Sequence, residues 1–265
     1  MMRFCVIGYP AKHSLSPQLH QAFACQVRLD ICYTIVEVSP DLFETQIQAL
    51  ANEGYMGANI TLPYKSRVLS IADSVSDNAQ LARSANTLKF EDHRCFADTT
   101  DGVGFLKGYP QKNGWKSQTV LLLGAGGAAC SIAAALASEG ANVLVMARDA
   151  ERQNEMLKKL NHPRILAFHA SSHQGLDVVI NATSASLLGE LPDCLPESAL
   201  LRNTVSIDVV YNLQQHTPFM QWSMSSGASS TLDGWNMLVE QGAQSFYWWT
   251  GYSVDTENFK KNRRV

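Results

Sequence analysis

The sequence has no surplus of positive charge: Lys and Arg number 21 against 24 Asp and Glu in 265 residues, a formal net charge of -3. That balance gives no pull toward a nucleic-acid backbone or an anionic membrane, so neither is expected as a partner. A CxxC pair is also missing. The six cysteines, at positions 5, 25, 32, 95, 130 and 194, lie scattered mostly among apolar neighbours. Buried, reduced thiols fit that pattern, and no metal is expected. The opening Met1-Met2-Arg3 leads only into the short apolar run Phe4 to Ile7, too little for a signal peptide, so cytoplasmic residence is the expectation. One uncharged stretch, Val120 to Ser138, approaches membrane-spanning length. Gly124, Gly126 and Gly127 interrupt it and its second half is mostly alanine, so it reads as a strand, a glycine turn and a buried helix. Internal repeats and low-complexity tracts are absent.

With 46% hydrophobic and 17% charged residues, the chain has the makings of a globular protein of two domains or one large one. Short apolar runs alternate with amphipathic stretches over the first hundred residues. Arg3 to Ile7, Ile31 to Val38, Ala58 to Leu62, Asn86 to Phe90 and Cys95 to Asp98 read as strands. Ser16 to Gln26, Asp41 to Asn52, Tyr64 to about Ala72 and the region of Asp77 to Leu81 read as helices, and Glu91 to Arg94 as a turn. This alternation predicts parallel strands with helices on both faces. A second α/β unit begins near Ser117, with strands at Thr119 to Leu123, Asn142 to Met146, Asp177 to Asn181 and Val205 to Val210. From Asp233 the chain reads as helix, ending in a basic segment that runs to Arg264. The expected division is residues 1–100 plus 233–265 as one domain and 101–232 as the other.

Thr119 to Leu123 runs into Gly124-Ala125-Gly126-Gly127-Ala128-Ala129, a GxGxx(G/A) turn that follows a strand and opens a helix. In that setting the first glycine allows the tight turn, the second lets backbone N–H groups approach a pyrophosphate, and the small third residue lets helix and strand pack closely. The alternative is the same turn in an empty doubly wound sheet. The end of the next strand, where an acidic residue would bind the ribose of NAD, holds Ala147. Arg148 and Arg152 follow, a pair suited to a 2′-phosphate, which favours NADP. Asp149 points the other way, as a carboxylate near that phosphate, unless it serves only as the N-cap of the helix after it.

In the first domain His13-Ser14-Leu15-Ser16-Pro17 begins a helix, with Ser16 expected at the N-cap and Pro17 at the first helical position. Ser14 and Ser16 are either capping hydroxyls or a seat for a carboxylate. Asn59, Thr61 and Lys65 fall at the C-terminal end of a strand, where open α/β sheets bind ligands. Taken alone, Lys65 is equally a solvated surface charge.

HSLSP, GANITLPYK, SANTL, DTTDGVGF, GAGGAA, INATS and DGWNMLVEQGAQSF stand in this order from Ile7 to about Trp249. Together they resemble the shikimate/quinate dehydrogenase family. The resemblance implies two α/β domains, an N-terminal substrate-binding domain and a Rossmann-type NADP-binding domain, with a cleft between them. It implies NADP-dependent reduction of 3-dehydroshikimate to shikimate, a step toward chorismate and the aromatic amino acids, in a monomer or homodimer. On matching positions it assigns Lys65 and Asp101 to catalysis, and Ser14, Ser16, Asn59, Thr61, Asn86, Tyr211 and Gln241 to shikimate. Gly124, Gly126, Gly127, Ala128, Arg148, Arg152 and Thr183 would contact NADP, with Gly234 near the nicotinamide. Several positions depart from the family pattern: Ala147-Arg148-Asp149 replaces Asn-Arg-Thr or Ser-Arg-Thr, Thr100 an Asn, Ala185-Ser186 a glycine-containing loop, and Trp235-Asn236 a Leu-Gly. Two other readings stay open: a quinate/shikimate dehydrogenase that uses NAD, which Asp149 would favour, and a non-catalytic sensor of shikimate-like acids or nucleotides, for which the Lys65 and Asp101 pair would be superfluous.

Overall fold

Among the described residues two six-stranded sheets organise the chain, one in each of two units, Met1–Gly104 with Val239–Val265 and Phe105–Leu238. The computed structural model describes residues 1–12, 14–169, 175–197 and 201–263. His13 of the HSLSP motif and Arg264 of the basic tail lie outside the described residues.

In the first unit β1 (Met2–Gly8) pairs in parallel with β2 (Ile31–Glu37) and β3 (Gly57–Ile60). Helices α1 (Ser16–Val27) and α2 (Phe43–Asn52) make the crossovers. Phe4, Cys5, Val6 and Ile7 are all buried, as a central strand covered on both faces requires. The sheet continues through β4 (Ser74–Val75), helix α3 (Asp77–Ala82), β5 (Thr87–Glu91) and β6 (Arg94–Asp98), in the order β2-β1-β3-β5-β6-β4. It is not parallel throughout: β5 runs antiparallel to both β3 and β6. Between β5 and β6 the cause is local. Asp92 and His93 both adopt left-handed backbone, with φ of 50° and 59°, the geometry of a two-residue hairpin, which leaves no chain for a crossover.

The expected helix from Tyr64 to Ala72 also shrinks, to a 3-10 turn at Arg67–Ser70. The Lys65 carbonyl accepts from the Ala85 N–H at 2.8 Å instead of serving a helix. Tyr64 anchors the same segment, its buried ring stacked on Phe43 at 4.2 Å and its hydroxyl donating to the Val38 carbonyl. Pairing of Asn59 with Thr87, and of Thr87 with Asp98, brings the end of β3, the start of β5 and the end of β6 to one place. There α4 (Asp101–Gly108) begins.

The second unit holds β7 (Thr119–Leu123), α5 (Gly127–Ser138), β8 (Asn142–Met146), α6 (Ala150–Leu160), β9 (Ile165–Ala167), β10 (Val178–Asn181), β11 (Val205–Asp208), α7 (Pro218–Ser225) and β12 (Ser230–Leu232). Every pairing is parallel and the order β9-β8-β7-β10-β11-β12 is doubly wound, reversing between β7 and β10. Val120 to Leu123 are fully buried, as are Ile132, Ala133 and Leu136 of α5, which explains the uncharged stretch. Among the described residues no helix is long and apolar enough to cross a membrane.

Helix α8 (Trp235–Thr250) and α9 (Glu257–Asn262) follow, and from Val239 the chain belongs to the first unit. Trp249 stacks on Phe4 at 4.7 Å and its indole N–H donates to the Leu88 carbonyl at 2.7 Å, while Tyr252 is exposed. Cys5, Cys95, Cys130 and Cys194 are buried, Cys32 is half-buried and Cys25 exposed, all as free thiols.

His20 of α1 lies inside this unit, its ring stacked on Tyr33 at 4.4 Å. Burial pushes its pKa from 6.5 down to about 3, with the Asn59 side chain opposing. The folded state therefore keeps His20 neutral where the unfolded chain takes up a proton, and stability falls as the pH drops below 6.5 toward 3. Urea unfolding should register a loss of about 2 kcal/mol between pH 7 and pH 5, and His20→Leu should remove that one-proton slope.

Candidate active site

Lys65 and Asp101 meet in the first unit, with Lys65 Nζ 2.6 Å from Asp101 Oδ2. Asp101 is buried and the lysine retains 20% side-chain exposure, so the ammonium is the open end of the pair. Each partner is placed by its neighbours. Lys65 follows anchored Tyr64, and Asp101 opens α4 immediately after a turn in which Asp98 accepts from the Thr99 N–H at 2.7 Å. Close packing supports that helix start: a Cβ on Gly104 would lie 2.7 Å from the backbone nitrogen of Gln241.

Asn86 links the pair to the rest of the site. Its Oδ1 accepts from the Thr100 N–H at 2.7 Å, which turns its amide nitrogen toward Asp101 Oδ1 at 3.0 Å, Gln241 Oε1 at 3.0 Å and Thr100 Oγ1 at 2.9 Å. A buried carboxylate is costly unless paired and hydrogen-bonded; here Lys65 satisfies one oxygen and Asn86 the other. Asn59 is a second hub, its Oδ1 accepting from Tyr33 at 2.7 Å and its amide nitrogen reaching the Asn86 carbonyl at 3.2 Å and Ser245 Oγ at 3.0 Å. Burial pushes the Tyr33 phenol well above its usual pKa, so it remains a donor to Asn59.

Ser16 is not the N-cap: Leu15 occupies that place, without a side-chain cap bond, and Ser16 is the first helical residue. The Ser16 N–H donates instead to Ser14 Oγ at 3.3 Å, and the two hydroxyls lie 3.1 Å apart. The local reason is the turn before them, closed by the Ser14 N–H on the Ala11 carbonyl at 2.9 Å. Thr61 follows β3, its N–H bonded to Ile7 at 2.9 Å. Ser14, Ser16, Asn59, Thr61, Lys65, Asn86, Asp101 and Gln241 thus all belong to the first unit, and Tyr211 belongs to the second, its ring edge-on to Trp235 at 6.1 Å. Tyr33, Thr87, Thr100 and Ser245 join the polar network without having been singled out as site residues; Ser245 lies within 3.3 Å of Asn59, Thr87 and Thr100.

The glycine turn of the second unit has the form expected of it. Gly124 has φ +110° and its absent Cβ would press on Ala182 and Thr183 at 3.2 Å, so only glycine fits. Gly126 is the N-cap of α5, and a Cβ there would meet nothing within 4 Å among the described residues. The N–H groups of Gly127 and Ala128 lie in the first helical turn, which the helix does not itself satisfy. Asp149 is the N-cap of α6, accepting from the N–H groups of Glu151 and Arg152 at 3.0 and 3.1 Å. Arg148 pairs with Asp193 at 2.6 Å and Arg152 with Asp149 at 3.5 Å, both arginines largely exposed. Thr183 binds Asn181. Gly234 donates to the Val210 carbonyl at 3.1 Å, and a Cβ there would clash with Val209.

Comparison with known proteins matches residues 6–88 to the shikimate dehydrogenase substrate binding domain, residues 109–189 to shikimate / quinate 5-dehydrogenase and residues 234–261 to the shikimate 5'-dehydrogenase C-terminal domain. The shikimate dehydrogenase (NADP(+)) of Alcanivorax borkumensis is 36% identical over 260 residues, covering 96% of this chain and 93% of that one. An Ael1 enzyme from Pseudomonas putida superposes with a TM-score of 0.90 at 35% identity, over 100% of this chain and 99% of the other. The shikimate 5-dehydrogenase of Thermus thermophilus in complex with NADP(H) and shikimate gives a TM-score of 0.87 at 29% identity, each chain covered to 98%.

Proposed function

This chain belongs to the shikimate dehydrogenase family, and from that premise we infer that it interconverts 3-dehydroshikimate and shikimate with NADP(H). Lys65 and Asp101 are its proton-handling pair. The observation that carries this reading is the 2.6 Å contact of a partly exposed ammonium with a buried carboxylate whose other oxygen is held by Asn86.

Oxidising a secondary alcohol removes a hydride from carbon and a proton from the hydroxyl. NADP, when bound, supplies the hydride acceptor. As the neutral amine Lys65 takes the hydroxyl proton and becomes the ammonium, and in the reverse direction that ammonium gives the proton to the carbonyl oxygen and returns to the amine. Asp101 orients Lys65 for that transfer. Ser14 and Ser16 offer hydroxyl donors for the substrate carboxylate, and Gln241 and Asn86 read the ring hydroxyls. Tyr211 is proposed as a further shikimate contact and Thr61 as a neighbour of the ring.

The second unit suits the cofactor. Open space beside Gly126, at the N-terminus of α5, fits a pyrophosphate held by backbone N–H groups. Arg148 and Arg152 are proposed to hold the 2′-phosphate; their surface ion pairs are weak enough to exchange for it. Asp149 is engaged as a helix cap, which supports the NADP reading over the NAD one. Thr183 and Gly234 are proposed to line the nicotinamide side. We place the protein in the cytoplasm, where six unpaired cysteines stay reduced, as a monomer or homodimer without nucleic-acid or membrane partners.

A Ser14→Ala enzyme tests the carboxylate seat. Its KM for shikimate should rise about tenfold, the loss of one hydrogen bond to a charged group, with kcat within about twofold. An unchanged KM would remove Ser14 from the site.

A further inference from the structure

Asp208 closes β11 completely buried, and its carboxylate is held by four neutral donors from four places in the chain. Asn181 Nδ2 and the Val210 N–H reach Oδ1 at 3.1 and 3.0 Å, and Ser186 Oγ and Thr217 Oγ1 reach Oδ2 at 2.6 and 2.7 Å. Burial pushes its carboxyl above the usual range, with those donors opposing. So costly a group calls for a reason, and its neighbours supply one. A carboxylate only accepts, so the fully buried Asn181 must turn its nitrogen to Asp208 and its oxygen away. That oxygen accepts from the Thr183 N–H at 3.0 Å and from the Thr183 hydroxyl at 2.7 Å. Asp208 holds the next turn as well, through Ser186 in the 3-10 segment Ala185–Leu188.

We propose that Asp208 is a positioning residue for dinucleotide binding, fixing the Asn181 amide so that Thr183 is presented in one orientation, with Ser186 as a second hold on the same loop. The inference rests on the reading that Thr183 contacts the cofactor. An asparagine at position 208 can keep its oxygen on Asn181 and the Val210 N–H only by placing its nitrogen where the Ser186 and Thr217 hydroxyls donate, so one hold on the Asn181 to Leu188 loop is lost whichever way it turns.

Calorimetric titration of the whole protein with NADP+ tests this in a double-mutant cycle. Asp208→Asn should weaken NADP+ binding about tenfold in the parent background but less than about twofold in a Thr183→Val background, as expected for residues acting in one chain of contacts. The KM for shikimate should stay within about twofold, which a general loosening of the fold would not allow. Equal weakening in both backgrounds would overturn the proposal, as would tight binding by Asp208→Asn alongside weak binding by Thr183→Val. Unaltered binding by Thr183→Val would instead sink the cofactor role of Thr183, and this inference with it. If Asp208→Asn does not fold, Ser186→Ala carries the test, removing one donor at a half-buried position. About threefold weaker binding that disappears in the Thr183→Val background supports the proposal, and background-independent binding refutes it.

Discussion

Lys65→Ala is expected to lower kcat for shikimate oxidation by at least about a hundredfold, the lower end of what a positioned acid–base group contributes. Alanine also leaves the Asp101 carboxylate buried without its cation, which costs stability, so the loss has to be separated from unfolding. Lys65→Arg makes that separation. A guanidinium keeps positive charge beside Asp101 but has no neutral form at ordinary pH, so it cannot take up the hydroxyl proton. Its thermal midpoint should stay close to the parent's while kcat falls as far as in Lys65→Ala. Near-normal turnover by the arginine enzyme would mean that Lys65 contributes charge and not proton transfer.

The second large effect is expected at Asp101. Asp101→Asn preserves the shape of the side chain, yet it removes the ionic partner of Lys65 and places an amide where Asn86 Nδ2 needs an acceptor. The substituted amide satisfies one neighbour only by facing its nitrogen at the other. Lys65 then loses its fixed direction, and kcat should drop by at least about a hundredfold. A modest change in KM beside that drop would place Asp101 in the transition state more than in ground-state binding. Wild-type kcat in Asp101→Asn would show that Asn86 and Lys65 hold the site without it.

Much of this site was legible in the chain because its residues sit in short, ordered motifs. Lys65 follows the strand carrying Asn59, so its place beyond a strand end could be read by pattern, whereas Asp101 entered only through the DTTDGVGF motif and the helix it opens, α4, was not anticipated. The glycine turn was legible for the same reason, since Gly124 needs left-handed backbone and Gly126 open space. What the pattern missed depends on pairing across the sheet. The turn at Glu91 to Arg94 was readable, but the antiparallel pairing of β5 with β3 is made across the sheet and has no local signal. Tyr33 projects from β2 onto Asn59 with no local signal to mark it. Ser245 did carry one, standing four residues after Gln241 and hence on the same face of α8. Ser16 was misplaced by one position because a serine before proline has the composition of an N-cap, whereas the turn at Ala11 to Ser14 moves the helix start. The 3-10 turn at Arg67–Ser70 replaced a helix because the Lys65 carbonyl is claimed by Ala85, 20 residues later in the chain.

The most direct test is initial-rate oxidation of shikimate by the purified protein, followed by nicotinamide absorbance, with NADP and NAD in parallel and quinate as the competing substrate. Turnover of shikimate that prefers NADP is expected, with quinate a poor substrate. Binding of shikimate and NADP without turnover, or a preference for NAD and quinate, would contradict it.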